Sequence, residues 1–182
     1  MTGRRLTIAV ALACALAGAW AAVGVSRAAS LEPVWTEMPW PFPTDQWGTG
    51  KAFACRSADC GTQVTVYLRA KIGFCNCTTG VADDEELDRI SDFELVGNRA
   101  TAQGPGRPIA VAWMKGRSRP FDAEGAMGAR ASALSVGLNH RCDAIVATAV
   151  VAPGRAAEIE PSVLAFLSSR AVLQWAATTV GP

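Results

Sequence analysis

Val64-Thr65-Val66-Tyr67-Leu68-Arg69-Ala70-Lys71-Ile72 alternates without a break along nine residues. A side-chain period of two belongs to a β-strand, so Val64, Val66, Leu68, Ala70 and Ile72 share one face. Thr65, Tyr67, Arg69 and Lys71 share the other. A strand with one apolar and one mixed face asks for a sheet that packs its apolar side against something else, and the rest of the chain is read outward from that requirement.

Downstream, Gly73 ends the strand and a Cys-rich loop follows. Residues 81–90 predict a short helix whose first turn holds Asp83, Asp84, Glu85 and Glu86, where carboxylates suit the helix dipole. Residues 93–96 predict a short strand, Gly104-Pro105-Gly106 a turn, and residues 108–114 a buried strand. Residues 121–130 are rich in Gly and Ala and are expected to be a loop. Residues 132–138 and 144–151 are apolar runs separated by Asn139-His140-Arg141-Cys142-Asp143, the pattern of an antiparallel hairpin. Pro153-Gly154 stops that hairpin. The last element reads as one helix starting near Pro161, with Val163, Phe166, Leu167, Ala171 and Trp175 on one stripe.

Upstream, residues 29–50 carry Pro33, Trp35, Pro39, Trp40, Pro41, Phe42, Pro43 and Trp47. Alternating prolines exclude a helix, and flat rings at this density predict an extended arm lying on the domain. The expected class is therefore α+β, an antiparallel sheet of about five to six strands covered by a C-terminal helix, with residues 51–182 as one domain and 29–50 as its arm.

The first 28 residues read as an export signal. Arg4 and Arg5 supply a positive start, residues 6–25 carry no charge, and Ser26-Arg27-Ala28 places small residues where a signal peptidase reads them, predicting cleavage after Ala28. The alternative is an uncleaved N-terminal membrane anchor, since the run is about long enough to cross a bilayer. Arg4-Arg5 also suggests a twin-arginine signal, but Thr7 stands near the place where such signals carry phenylalanine, so the ordinary route is expected. Residues 29–182 then face an oxidising compartment, in a bacterium the periplasm.

Composition narrows the function classes. The chain has 182 residues, 50% hydrophobic and 18% charged, about one domain and too apolar to be disordered. The net charge of +1 includes Arg4, Arg5 and Arg27; without them 14 basic groups face 16 acidic ones. No broad basic face is available for nucleic acid.

Once Cys14 leaves with the signal, Cys55, Cys60, Cys75, Cys77 and Cys142 remain, an odd number in an oxidising setting. Cys55 and Cys60 bracket a polar four-residue turn between two strand-like runs, where facing positions reach disulfide distance. Cys75 and Cys77 flank a single residue, too close for an unstrained bond to each other, so one of them is expected to bridge to Cys142. A competing use of the sulfurs is a site for zinc or copper built from Cys75, Cys77, Cys142 and His140, three thiolates and an imidazole. Thiol-redox chemistry at Cys75 and Cys77 is another, although the Cys-x-x-Cys spacing is missing.

Other chemistry has weaker support. Asp83, Asp84, Glu85, Glu86, Asp88, Asp92 and Glu94 form an acidic run opposed by Arg89 alone, without the spacing of a calcium loop, and read as a solvated face. No Gly-x-Ser-x-Gly elbow and no phosphate-cradling loop occur, and no motif selects a carboxylate pair for sugar hydrolysis. Asn76-Cys77-Thr78 matches a glycosylation acceptor only formally.

Two resemblances follow from these stretches. Residues 40–48 (WPFPTDQWG) and 69–77 (RAKIGFCNC), with the acidic run after them, resemble a family of uncharacterised exported proteins of alphaproteobacteria. That resemblance implies export and no particular activity. The order of sheet then C-terminal helix is also similar to PsbP-like domains, on topology alone, which implies no binding residue.

The expectation is a non-enzymatic, disulfide-stabilised periplasmic domain that binds or helps assemble another periplasmic protein, with Trp35, Trp40 and Trp47 as candidate contacts. No cofactor is expected under that reading. A shallow apolar surface near those rings, with no deep polar pocket, is its discriminating sign.

Overall fold

The computed structural model describes residues 33–125 and 128–181. The signal segment, its cleavage point after Ala28 and the first residues of the arm lie outside the described residues. Thirteen elements follow in order: strands β1 (Trp35–Met38) and β2 (Lys51–Cys55), helix α1 (Ser57–Cys60), β3 (Val64–Lys71), helix α2 (Asp84–Ile90), a 3₁₀ turn (Phe93–Leu95), strands β4 (Arg99–Ala102), β5 (Arg107–Val111), β6 (Met114–Glu124), β7 (Arg130–His140) and β8 (Asp143–Val151), and helices α3 (Glu160–Leu167) and α4 (Arg170–Val180).

All eight strands join one antiparallel sheet in the order β1-β2-β3-β8-β7-β6-β4, with β5 paired to β6 beside β4. The class is α+β, with more strands than the five or six expected. One addition is the beginning of the arm. Trp35-Thr36-Glu37-Met38 has no internal proline, so its N–H groups are free to pair, and it lies against β2 with Trp35 opposite Cys55. A second is the stretch expected to be a loop: β6 runs through Phe121 to Glu124, and Phe121 packs 4.4 Å from Phe93. Local Gly and Ala content hid a strand that tertiary pairing with β7 holds in place. The strand expected over 108–114 divides at Ala112, whose φ of 52° turns β5 into β6, and most of β5 is exposed. Phe93–Leu95 is a 3₁₀ turn rather than a strand, and the polar turn between Cys55 and Cys60 closes as the short helix α1.

β3 is a central strand, hydrogen-bonded to β2 on one side and to β8 on the other. Val66, Leu68, Val136, Leu138, Ile145 and Ala147 lie on one face and belong to a single buried cluster. Val163, Phe166 and Leu167 of α3 and Val172, Ala176 and Val180 of α4 belong to the same cluster. The C-terminal element is thus two helices bent by 62° at Ser168-Ser169. That break resets the helical phase, so the buried stripe continues through Val172, Ala176 and Val180, while Ala171 is exposed. Ile72, expected beside Leu68, lies beyond the strand and is 56% exposed, because Gly73 at φ 67° turns the chain there.

The opposite face carries a buried cluster of its own. Val81, Leu87 and Ile90 form a second buried cluster with Cys75, Ala144 and Val146. The close approach of α2 depends on Gly137 in β7, where an added Cβ would meet Ile90 Cδ1 at 2.8 Å and Leu87 Cδ1 at 2.9 Å. Asp83 caps α2 by accepting from the Glu86 N–H. Asp84 accepts from Arg117 of β6 and from the Gly106 N–H at 3.1 Å, which fastens the start of the helix to the sheet.

Two outcomes test this arrangement. Gly137→Val forces branched atoms between α2 and β7, and urea unfolding is expected to show a loss of about 1–3 kcal/mol. Arg117, by its hydrogen bond, holds the Asp84 carboxyl below the usual carboxylate range. A depressed folded pKa gives stability that is present above the unfolded value and lost as pH falls through the folded one. Asp84→Asn should therefore cost about 1.5–3 kcal/mol at neutral pH. The gap to the native chain should close as pH drops below about 4.

Candidate functional site

The alternation of β3 lifts Tyr67, Arg69 and Lys71 onto the face opposite the main core cluster. Both charged side chains are buried there, Arg69 at 1% and Lys71 at 4% exposure. Their neighbours across the ladder are Thr148, Val146 and Ala144 of β8, none of which carries a charge. Two buried cations of one sign require anions close by.

The nearest is Asp92, itself 1% exposed, which follows α2 in the chain. Its Oδ1 lies 2.7 Å from Lys71 Nζ and 3.6 Å from Arg69 Nη1. Burial pushes the Asp92 carboxyl above its usual range, against the pull of Lys71 and then Arg69. The second anion comes from the arm: Arg69 Nη1 donates to Asp45 Oδ2 at 2.7 Å. The other Asp45 oxygen accepts from the Trp47 N–H at 2.8 Å and shapes the turn that carries it. Glu94 Oε1 stands farther off, at 3.9 Å from the same Nη1, and is well exposed.

Aromatic rings of the arm close over the pair. Trp40 and Phe42 meet Tyr67 edge-on at 5.9 and 4.9 Å, and the Arg69 guanidinium lies 5.2 Å from the Trp40 ring. Trp47 packs 4.6 Å from Phe74, and Lys71 Nζ sits within 5.6 Å of both rings. Gly50 brings the arm back to β2, and a Cβ there would collide with the Trp40 ring at 2.6 Å. Trp40 Nε1, Arg69 Nε and Thr148 Oγ1 are buried with no hydrogen-bond partner among the described residues.

The acidic run is therefore not one solvated face. Asp92 is buried under the arm, Asp84 and Asp88 pair with Arg117 and Arg119, and Glu86 accepts from Arg89 at 2.6 Å and from the Asn76 N–H at 2.9 Å. Burial depends here on partners contributed by strands far along the chain.

Among the described residues the cysteines resolve as two bridges and one thiol. Cys55 joins Cys60 across α1, and Cys77 joins Cys142 in the two-residue turn between β7 and β8. Cys75 is free and buried, its Sγ donating to the Arg141 carbonyl at 3.4 Å. Burial first, then Glu86 and Asp143, push its thiol upward. The zinc or copper set does not assemble in this form. Cys77 and Cys142 are bonded to each other, and no group of three His, Cys, Asp or Glu able to hold a metal occurs among the described residues. His140, expected in a turn, is the last residue of β7, paired with Asp143, and its Nε2 is buried without a partner. Cys75 and Cys77 do not form a redox pair with each other.

The tryptophans separate. Trp40 and Trp47 turn onto Arg69 and Lys71, whereas Trp35 stacks on Phe166 of α3 at 4.5 Å. Beside that stack an open cleft of about 400 Å³ is lined by Pro33, Trp35, Ser162, Ala165, Phe166 and Ser168. A second open cleft, more polar, lies at the other end of the sheet between Arg99, Thr101, Asp122, Glu124 and Arg130. Sequence reading found Trp35 but missed Asp45, Asp92 and the burial of Arg69 and Lys71. The available signal was the pair of cations two apart on one strand together with a ring-dense arm.

No family model, curated protein or solved structure matches the chain.

Intact-mass analysis checks the sulfur chemistry. Native protein treated with iodoacetamide at neutral pH is expected to stay unmodified, because the Cys75 thiol is buried and protonated. In denaturant without reductant one label should enter, and after reduction five should enter the chain cleaved after Ala28. Two or more labels on Cys55, Cys60, Cys75, Cys77 and Cys142 together, in the unreduced denatured chain, would contradict the pairing.

Proposed function

We propose that the chain is an exported, non-enzymatic domain of the bacterial periplasm that binds an extended segment of another exported protein at β1. Two disulfides suit an oxidising compartment and stabilise the domain without a cofactor. In this reading the signal is removed after Ala28, and α3 and α4 serve as the cover of the main sheet face.

The observation that carries the reading is the Trp35–Phe166 cleft beside the outer edge of β1. β1 ends the strand order, so one row of its N–H and C=O groups has no partner strand among the described residues. An extended peptide pairs with such a row, and an apolar cleft next to it selects side chains. Val34, 56% exposed, extends the apolar surface at the start of the strand.

A photo-crosslinking residue placed at Val34 or, as a control of equal exposure, at Ile72 tests the proposal in cells. Val34 is expected to trap a second exported protein, and Trp35→Ala to reduce that adduct several-fold at a temperature where its melting curve shows the variant still folded. The purified chain should begin at Ala29. Equal yields at Val34 and Ile72 would sink the assignment of β1 as the contact.

A further inference from the structure

The charged pair under the arm goes beyond partner binding at β1, and its fate is independent of it. Three facts stand together. Under the arm the buried charges are two cations and one carboxylate, Arg69, Lys71 and Asp92, so a second carboxylate has to balance the set, while the other buried carboxylate among the described residues, Glu160, pairs with Arg107 elsewhere. The carboxylate that contacts Arg69 most closely, Asp45, belongs to the arm and keeps 42% of its side chain exposed. Asp45 makes one contact to the guanidinium, at Nη1, while Arg69 Nε and the neighbouring Trp40 Nε1 have no acceptor among the described residues.

We propose that Arg69 and Lys71 form a binding site for a small monocarboxylate, which Asp45 occupies as an internal stand-in and which an external carboxylate takes when Asp45 moves aside. A carboxylate free to choose its orientation takes two parallel N–H bonds from a guanidinium, where Asp45, tied to the Trp47 N–H, takes one. Asp92 and Glu94 lie 3.6 and 3.9 Å from the same Nη1, and they oppose a doubly charged anion such as phosphate. The rings of Trp40, Tyr67 and Trp47 give the site apolar walls, which fits a carboxylate with a short hydrocarbon body.

The external ligand competes with Asp45, so its apparent affinity rises when that residue is removed. The test uses the full exported chain titrated with sodium acetate against sodium chloride at constant ionic strength, read by the fluorescence of its tryptophans and by thermal melting. The native chain is expected to show a weak but saturable response to acetate and none to chloride. Asp45→Ala should bind acetate about tenfold more tightly, since release of one surface-facing carboxylate contact is a change of that order. Asp45→Glu, which refills the site, should return to native behaviour, and Glu158→Ala, which removes an exposed carboxylate paired with Arg155 away from the site, should leave the affinity unchanged. Arg69→Gln should abolish the response; where that buried substitution prevents folding, the Asp45→Ala and Asp45→Glu pair decides alone. Identical effects of acetate and chloride, no response in native chain or Asp45→Ala, or an equal gain in Glu158→Ala overturns the proposal.

Discussion

Burying Arg69 and Lys71 on one face of a central strand forces distant parts of the chain to converge. Removing two cations from water is tolerable only with anions in hydrogen-bonding reach, and β8 offers none at the facing positions. Asp92 has to be delivered from behind α2, and Asp45 from the arm. Those two deliveries fix the path of residues 39–50 and the exit of α2. The helix in turn can lie low enough because β7 has Gly137 beneath it. Taking away one charge would leave another buried and uncompensated, which is far worse than losing a surface pair.

The disulfides act on a different scale. Cys55–Cys60 closes a short loop and Cys77–Cys142 spans 65 residues, so chain-entropy arguments assign them about 2 and about 4 kcal/mol. The long bridge also ties the loop between β3 and α2 to the β7–β8 turn. The same turn receives the Cys75 N–H at the Cys142 carbonyl, 3.1 Å, and the Gly73 N–H at Asp143, 2.7 Å. The loop next to the charged pair is therefore held by covalent and hydrogen bonds together, which limits how far Lys71 and Phe74 can move.

How much of this could be read in advance follows from the range of each signal. The alternation of 64–71 is local, and it assigned both faces of β3 correctly up to Ile72, where Gly73 intervenes. The apolar runs that became β7 and β8 were legible for the same reason. The burial of Arg69 and Lys71 was not, because it is decided by Asp45 and Asp92, 24 and 23 residues away from Arg69 in sequence. Likewise a Gly- and Ala-rich stretch has no strand preference of its own, and residues 121–124 become strand through pairing with 130–133 on one side and 99–102 on the other. The phase shift at Ser168-Ser169 was hidden because one helix and two bent helices share nearly the same apolar spacing.

The prolines of the arm complete the physical account. Pro39, Pro41 and Pro43 fix their own φ and bias the residue before each toward extended conformations, so the segment is already narrow in its unfolded states. Less entropy is then lost when Trp40, Phe42 and Trp47 settle over β3. That restraint matters because each arm contact is modest: ring pairs contribute about 0.5–1.5 kcal/mol and partly exposed ion pairs less. A flexible segment of the same length would need a larger interface to stay in place. Here a stiff one reaches from the edge strand β1 to Asp45 and back to β2, so the strand edge and the buried cations are connected by a tether with few conformations of its own.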